Sequence, residues 1–410
     1  MSEVILASFN RNSATSGIQE AIDALGERGG SVRIPAGKWR LRQSIVLRSG
    51  VSLIGDGSAT ELTIAAPRAR FLIRDARKGS HSIYLRGQVP FAADDGVGLT
   101  DRPRQWWDGT HALVRSVKGN LVRLSEPLNR GLRVKEEAQI VGLFPGITAV
   151  NRDDVSLRDL TLRGSRDPKG RWWQDFTYSA VHIVRCSGVR IQNVTVINWP
   201  SDGISVQGGS DVQVTHCQVR FCRGHGYHPG TGIERSIWSH NIAIGNGGDG
   251  LYFCGHVRDS ICSDSVFTGN DYSGIGGVGH GEDHHNVISN NVCSENGKWG
   301  INASDGVEHV IVGNILRSNS WKKPGAYPAL RLHNAKRFLV QGNRCADDVD
   351  KSSTVGGDTP CQTRGIVESG HSDWNLVSGN VCIGMYEPIT VIGRNSRAQG
   401  NLHEKRNIEK

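Results

Sequence analysis

Four side chains able to move protons fall within 28 residues of one another: His225, His228, Asp249 and Tyr252. Imidazole takes up and returns protons near neutral pH, a carboxylate can hold it in one orientation, and a phenol can protonate a leaving oxygen. This set suits removal of a proton next to a carboxylate, such as the C5–H of a uronic acid. That proton is weakly acidic, so the substrate carboxylate must be neutralised before a base can take it. Loss of the C4 substituent then yields an unsaturated sugar, and reprotonation from the opposite face yields an epimer. On residue type, His228 is the base and Tyr252 or His225 the acid toward the leaving oxygen. Arg331 is the partner of the substrate carboxylate, and Asp249 orients an imidazole or holds a calcium ion.

These residues belong to a repeat. An X-Gly-apolar tripeptide recurs at Asp202-Gly203-Ile204, His225-Gly226-Tyr227, Asp249-Gly250-Leu251, Ser273-Gly274-Ile275 and Trp299-Gly300-Ile301, with spacings of 23, 24, 24 and 26. Looser copies centre on Ala180, Ala329, Gly365 and Pro388. A second ladder runs in phase through Asn193, Cys217, Asn241, Ser265, Asn291, Asn314, Asn343 and Asn380. Five residues after the first six come Asn198, Cys222, Asn246, Asn270, Asn296 and Asn319. Small polar residues at fixed phase are what stacked corners require, because each amide can bond its own turn and the same amide one coil away. The pattern predicts an all-β chain, a right-handed single-stranded parallel β-helix of about 22–26 residues per coil. Leucine-rich repeats lack their leucine framework here, and propeller blades need about 40 residues per unit.

Alternation along each strand sorts side chains by face. The first outward column reads His182, Ser205, His228, Tyr252, Gly276, Asn302, Arg331. The second reads Val184, Gln207, Gly230, Cys254, Val278, Ser304, His333. Coils about 4.8 Å apart would bring His225, His228, Asp249 and Tyr252 around one sugar ring. His182, Tyr227, Asn302, Arg331, His333 and Trp299 are the candidates for substrate binding along the same groove. The bland alternatives are a binding-only groove and a His/Asp pair that merely closes a turn.

Three segments are expected. Residues 1–65 form a cap and first coils, with a short helix whose Ser16 and Gln19 fit a capping box and whose Ile18, Ala21, Ile22 and Leu25 mark one face. Residues 66–145 break the period and form a small β insertion, with a hairpin signal at Lys118-Gly119-Asn120. Residues 146–410 carry the grooved coils. Trp106-Trp107 and Trp172-Trp173 suit either a sugar-stacking platform or a cap over the core.

The formal charge is +8. A basic chain attracts polyanions. Its Lys and Arg are scattered and no zinc-finger, helix-turn-helix or RNP pattern occurs, which argues against nucleic acid. No apolar run is long enough to span a membrane. The nine Cys recur at repeat positions and read as small buried thiols, which favours a reducing compartment. No signal peptide is visible after Met1, so the expectation is cytoplasmic for a complete chain and periplasmic or secreted if a signal was removed. Lateral faces of stacked coils can pair, so a homo-oligomer stays open. The segment Gly279-His-Gly-Glu-Asp-His-His285 has the composition of a metal site but no standard ligand spacing; it reads as a groove-wall loop, with no metal ligand assigned.

The stretch His225-Gly-Tyr-His-Pro229, followed by Ala243-Ile-Gly-Asn-Gly-Gly-Asp-Gly-Leu251, resembles the catalytic region of the mannuronan C5-epimerases. That family has Tyr-Gly-Phe-Asp-Pro-His-Glu and, one coil on, Gly-Asn-Gly-x-Asp-Gly-Phe. Asp249 and Pro229 match, and Tyr227 stands for the family's Phe. His225 stands at the catalytic Tyr, His228 at the Asp and Gly230 at the His. The Gly-Gly-Ser-Val-Arg-Ile-Pro-Ala-Gly opening resembles the wider pectate-lyase-like β-helix superfamily. The resemblance implies a carbohydrate-active enzyme on an acidic polysaccharide or oligosaccharide, with calcium as the cofactor some such lyases use. A polysaccharide lyase is the leading reading. A C5-epimerase, a glycoside hydrolase or fructosyl-type transferase, and a non-catalytic glycan-binding helix remain alternatives. A hydrolase would draw its carboxyl pair from Asp202, Asp249, Asp283 and Glu368.

Overall fold

Apolar residues that follow the repeat glycines stack in one column, which forms one wall of the core. Ile204, Tyr227, Leu251 and Ile275 pair in register from coil to coil. Ile301, Leu330, Ile366 and Ile389 continue the column. The computed structural model describes residues 3–101, 109–165, 176–280, 282–347 and 361–405. In it the parallel strands wind into a right-handed β-helix, each coil hydrogen-bonding to the next. Both Trp pairs singled out above lie outside the described residues.

The outward column has the expected register. Thr148, His182, Ser205 and His228 follow one another on adjacent strands, and Tyr227–Leu251 pairing sets Tyr252 beside His228. Tyr252 then pairs Gly276, and Asn302 pairs Arg331. The second column departs from strict alternation at one place. A bulge at Gly276-Gly277, where Gly277 takes φ 72°, pairs Val278 with Ala303 and turns Val278 into the core. That left-handed φ is open to glycine at no steric cost.

The polar ladder holds the corners together. Asn314 Oδ1 accepts from the backbone N–H (2.9 Å) and side-chain amide (3.1 Å) of Asn291. Its own Nδ2 donates to the Ile288 carbonyl (3.0 Å) and to Asn343 Oδ1 (2.9 Å). Asn401 ends this ladder and Gln362 extends the second one beyond Asn319. Asn193 and Asn198 stand outside it. Both take left-handed φ, and Asn193 is exposed with its amide on Asp159. Asn314→Ala leaves a buried N–H and a buried carbonyl unpaired, each costing about 1–3 kcal/mol. Denaturant unfolding should therefore show a loss of about 2–6 kcal/mol; a loss within error of zero would mean that the ladder is decorative.

The helix spans Ile18–Ala24 with Ile18, Ala21 and Ile22 buried. Its start is built differently from the expected capping box. Thr15 Oγ accepts the Gln19 N–H, whereas Ser16 donates to the Arg40 carbonyl because Gly17 at φ 86° turns the chain between them. Between the early coils, six antiparallel strands within Ala69–Val141 form a separate sheet. Thr110–Lys118 and Leu121–Leu124 make its hairpin. All nine cysteines are thiols, and all but Cys254 are buried. Among the described residues, no helix is long and apolar enough to cross a membrane.

Candidate active site

The corner before each repeat glycine is where side chains reach across coils. Asp202 Oδ1 accepts the His225 backbone N–H at 2.7 Å. One coil on, His225 Nδ1 accepts the Asp249 N–H at 3.0 Å. Asp249 Oδ1 in turn accepts the Ser273 N–H at 2.6 Å. Glycines make room for this. A Cβ on Gly224 would sit 1.8 Å from Asp202 Oδ1, and one on Gly276 would sit 2.6 Å from the Asp249 carboxylate.

Asp202 has a second partner. Its Oδ2 lies 2.7 Å from His228 Nδ1, with both side chains almost fully buried. The carboxylate fixes the proton on Nδ1 and leaves the lone pair on Nε2, an atom that is buried with no hydrogen-bond partner. Burial, helped by repulsion from His225, lowers the pKa of His228 against the upward pull of the Asp202 carboxylate, so the neutral ring is favoured. Asp202 stays ionised although burial opposes its charge, because the His228 hydrogen bond and the nearby imidazoles pull its pKa below the ordinary value.

Tyr252 and His225 complete the cluster. Their rings stack at 4.5 Å with 11° between planes, and each lies edge-on to His228 at 5.2 Å. Burial pushes the Tyr252 phenol above its usual pKa, so it carries its proton. Asp249 Oδ2 lies 3.3 Å from His225 Nδ1. Burial works against charge on His225, but the Asp249 and Asp202 carboxylates outweigh it and the net direction is upward. When His225 is neutral, its Nδ1 accepts the Asp249 N–H, so the proton sits on Nε2.

These groups line a groove cavity of about 600 Å³. His225, His228, Asp249, Tyr252, Trp299 and Asn302 all face it. Arg331 lies one coil beyond Asn302 in the same outward column, its guanidinium 5.4 Å from the Trp299 ring and 3.3 Å from Asn302 Oδ1. The other three expected contacts do not converge here. Tyr227 is fully buried in the core, its hydroxyl donating to the Cys217 carbonyl at 2.7 Å, and it cannot touch a groove ligand. His182 lines a separate cleft of about 540 Å³ beside the antiparallel sheet, with His111. His333 pairs with Ser369 Oγ at 3.0 Å, further along the stack.

Two contributors were not assigned to the proton-transfer set by residue type. Asp202, rather than Asp249, orients the His228 imidazole. The signal was present, since Asp202 and Asp249 hold the same corner position, but a corner side chain serves the next coil rather than its own. Lys298 is the other. Its ammonium lies 3.8 Å from the Tyr272 ring and flanks Trp299, both of which line the cavity.

The Gly279–His285 segment divides. His280 faces the cavity, while Asp283 is buried and accepts the N–H groups of Val257 and Gly279. Burial pushes the Asp283 carboxyl up to about 7. Asp249 Oδ1 is taken by the Ser273 N–H and Oδ2 lies 3.3 Å from the His225 imidazole, an arrangement that does not fit the six to eight oxygen ligands of calcium. Glu368 is buried and bonds Asn375 and the N–H groups of Ile392 and Gly393.

The fold matches known proteins. The family described as "Right handed beta helix region" matches residues 145–314. The A-module of mannuronan C-5 epimerase AlgE6 from Azotobacter vinelandii superposes with TM-score 0.52 at 16% identity, covering 95% of this chain and 94% of that one. The AlgE4 A-module from the same organism gives TM-score 0.52 at 15% identity, covering 97% and 100%. The enzymatically active domain of tailspike protein 2 from bacteriophage CBA120 gives TM-score 0.56 at 11% identity, covering 90% of this chain and 45% of that one. No curated protein sequence matches the chain. The chain is thus a right-handed parallel β-helix whose lateral groove holds a cavity lined by His225, His228, Asp249 and Tyr252. Two of the structures it resembles come from the family whose motif the His225–Pro229 stretch resembles.

Proposed function

We propose that the protein is a polysaccharide lyase that cleaves a uronate glycan by β-elimination, with His228 as base and Tyr252 as acid. The observation that carries this reading is the buried Asp202–His228 pair, which leaves Nε2 without a hydrogen-bond partner in a ring that lines the groove cavity. Nε2 takes the C5 proton, the C5–H electrons form the C4=C5 bond, and the C4–O bond breaks. The Tyr252 hydroxyl gives its proton to the departing oxygen. Lys298 and Arg331 supply positive charge near the substrate carboxylate, and the formal charge of +8 favours an acidic polymer.

Two observations favour elimination over the alternatives. Epimerisation needs a proton donor on the face of the sugar opposite the base, whereas Tyr252 and His225 pack directly against His228. Hydrolysis needs a free carboxyl pair, whereas Asp202 and Asp283 are held by hydrogen bonds and Glu368 is buried against the backbone. Acid and base on one side suit syn elimination. In mannuronate and glucuronate, H5 and O4 share a face of the ring; in galacturonate and guluronate they do not. Ultraviolet absorbance of the unsaturated uronate should therefore rise with polymannuronate or glucuronan. A flat trace with every polyuronate would sink the lyase reading, and a rise with pectate alone would sink the syn geometry.

A further inference from the structure

We propose that Asp259, His284 and His285 form a zinc-type metal site on the side of the coil stack, outside the groove. The coils themselves bring the three together. Arg258 pairs with His284, and His284 with Val307, so Asp259, His285 and Glu308 occupy the same position on three successive coils. All three take left-handed φ, at 51°, 56° and 59°, and lie in one corner column.

The donor atoms are already gathered. His284 Nδ1 and His285 Nδ1 lie 2.8 Å apart, with the rings at 86°. Asp259 Oδ1 is 3.8 Å from His285 Nδ1, and one ligand atom from each residue falls within 4.8 Å of the others. Two imidazole lone pairs repel at that separation unless a proton or a cation lies between them. Zinc–nitrogen bonds of about 2.0–2.1 Å in a tetrahedron set neighbouring donors roughly 3.4 Å apart. The two nitrogens need to open by about 0.6 Å, and Asp259 to close by about 0.4 Å on His285 and by up to about 1.4 Å on His284, movements within reach of exposed side chains.

The surroundings fit a metal ligand. His285 Nε2 lies 2.7 Å from Glu308 Oε2, which fixes the proton on Nε2 and frees Nδ1. Arg337 holds the other Glu308 oxygen at 2.7 Å. Arg258, which pairs with His284 and lines the same adjoining cavity, has its charge matched by Glu234. His256, Glu282 and Asp305 line an adjoining cavity of about 350 Å³ with His284, so water or one of these side chains can take the fourth position. Two imidazoles and one carboxylate select zinc, copper or nickel over calcium or magnesium.

The rival is a plain ion-pair column in which a protonated His285 bridges Asp259 and Glu308 without metal. Calorimetric titration of the chelator-treated full chain with zinc chloride separates the two. One ion should bind per chain, with affinity lowered about 10-fold or more by His284→Gln or His285→Gln, and about 10- to 100-fold by Glu308→Gln. Zinc should raise the Tm of the native chain and not that of the His284→Gln/His285→Gln double variant. Absence of saturable zinc binding leaves only the ion-pair column and overturns the proposal. So does binding of equal strength in the double variant, which would put the zinc elsewhere.

Discussion

His228→Gln should lower kcat on polymannuronate or glucuronan by about 100- to 10,000-fold, the usual worth of a general base. Glutamine keeps a polar group near Asp202 but has no lone pair able to take the C5 proton. Glycan binding should change only a few-fold, because the rest of the cavity wall is untouched. The native pH profile follows from the same residue. His228 must be unprotonated to act, and burial lowers its pKa. Activity should therefore persist below the ordinary histidine range and fall only as pH drops through the depressed value. The raised Tyr252 pKa keeps the acid protonated well into the alkaline range. A variant with near-native kcat, or a profile whose acid limb lies above the ordinary imidazole pKa, would remove His228 from the base role.

Asp202→Asn should cost nearly as much, roughly 1,000-fold or more in kcat, by reversing the imidazole tautomer. Asparagine can keep its oxygen on the His225 N–H, where Asp202 Oδ1 now sits at 2.7 Å. Its amide then points N–H groups at His228 Nδ1, which must become an acceptor. The ring proton moves to Nε2, and that atom is no longer a base. Folding should survive, since the shape is conserved and Gly224 leaves space for the side chain. Glycan affinity unchanged with kcat lost would separate this effect from general disruption. Activity within about three-fold of native would show that Asp202 only closes a corner.

Much of the fold was legible because every coil must solve the same problem. The Asn ladder and the inward column repeat the same residue types at the same phase, so Asn241, Asn291, Asn314 and Asn343 declare the corner, and Ile204, Leu251, Ile275 and Ile301 declare the core. The outward column, from His182 to Arg331, follows from strand alternation alone. What was not legible depends on departures from the repeat. The Gly276-Gly277 bulge turned Val278 inward, and no periodic rule contains it. Tyr227 was offered to the substrate on residue type although its column faces the core. Asp202 acts on a residue 26 positions later because its corner reaches over the next coil. The Asp259 partnership with His284 and His285 crosses a coil as well, so linear spacing within the Gly279–His285 segment could not reveal it.

Proton NMR of oligomannuronate before and after incubation with the protein tests the central claim most directly. The account predicts a new olefinic H4 signal from an unsaturated chain end, absent when His228→Gln is used in its place. Saturated chain ends, or inverted C5 centres with no olefinic signal, would contradict it.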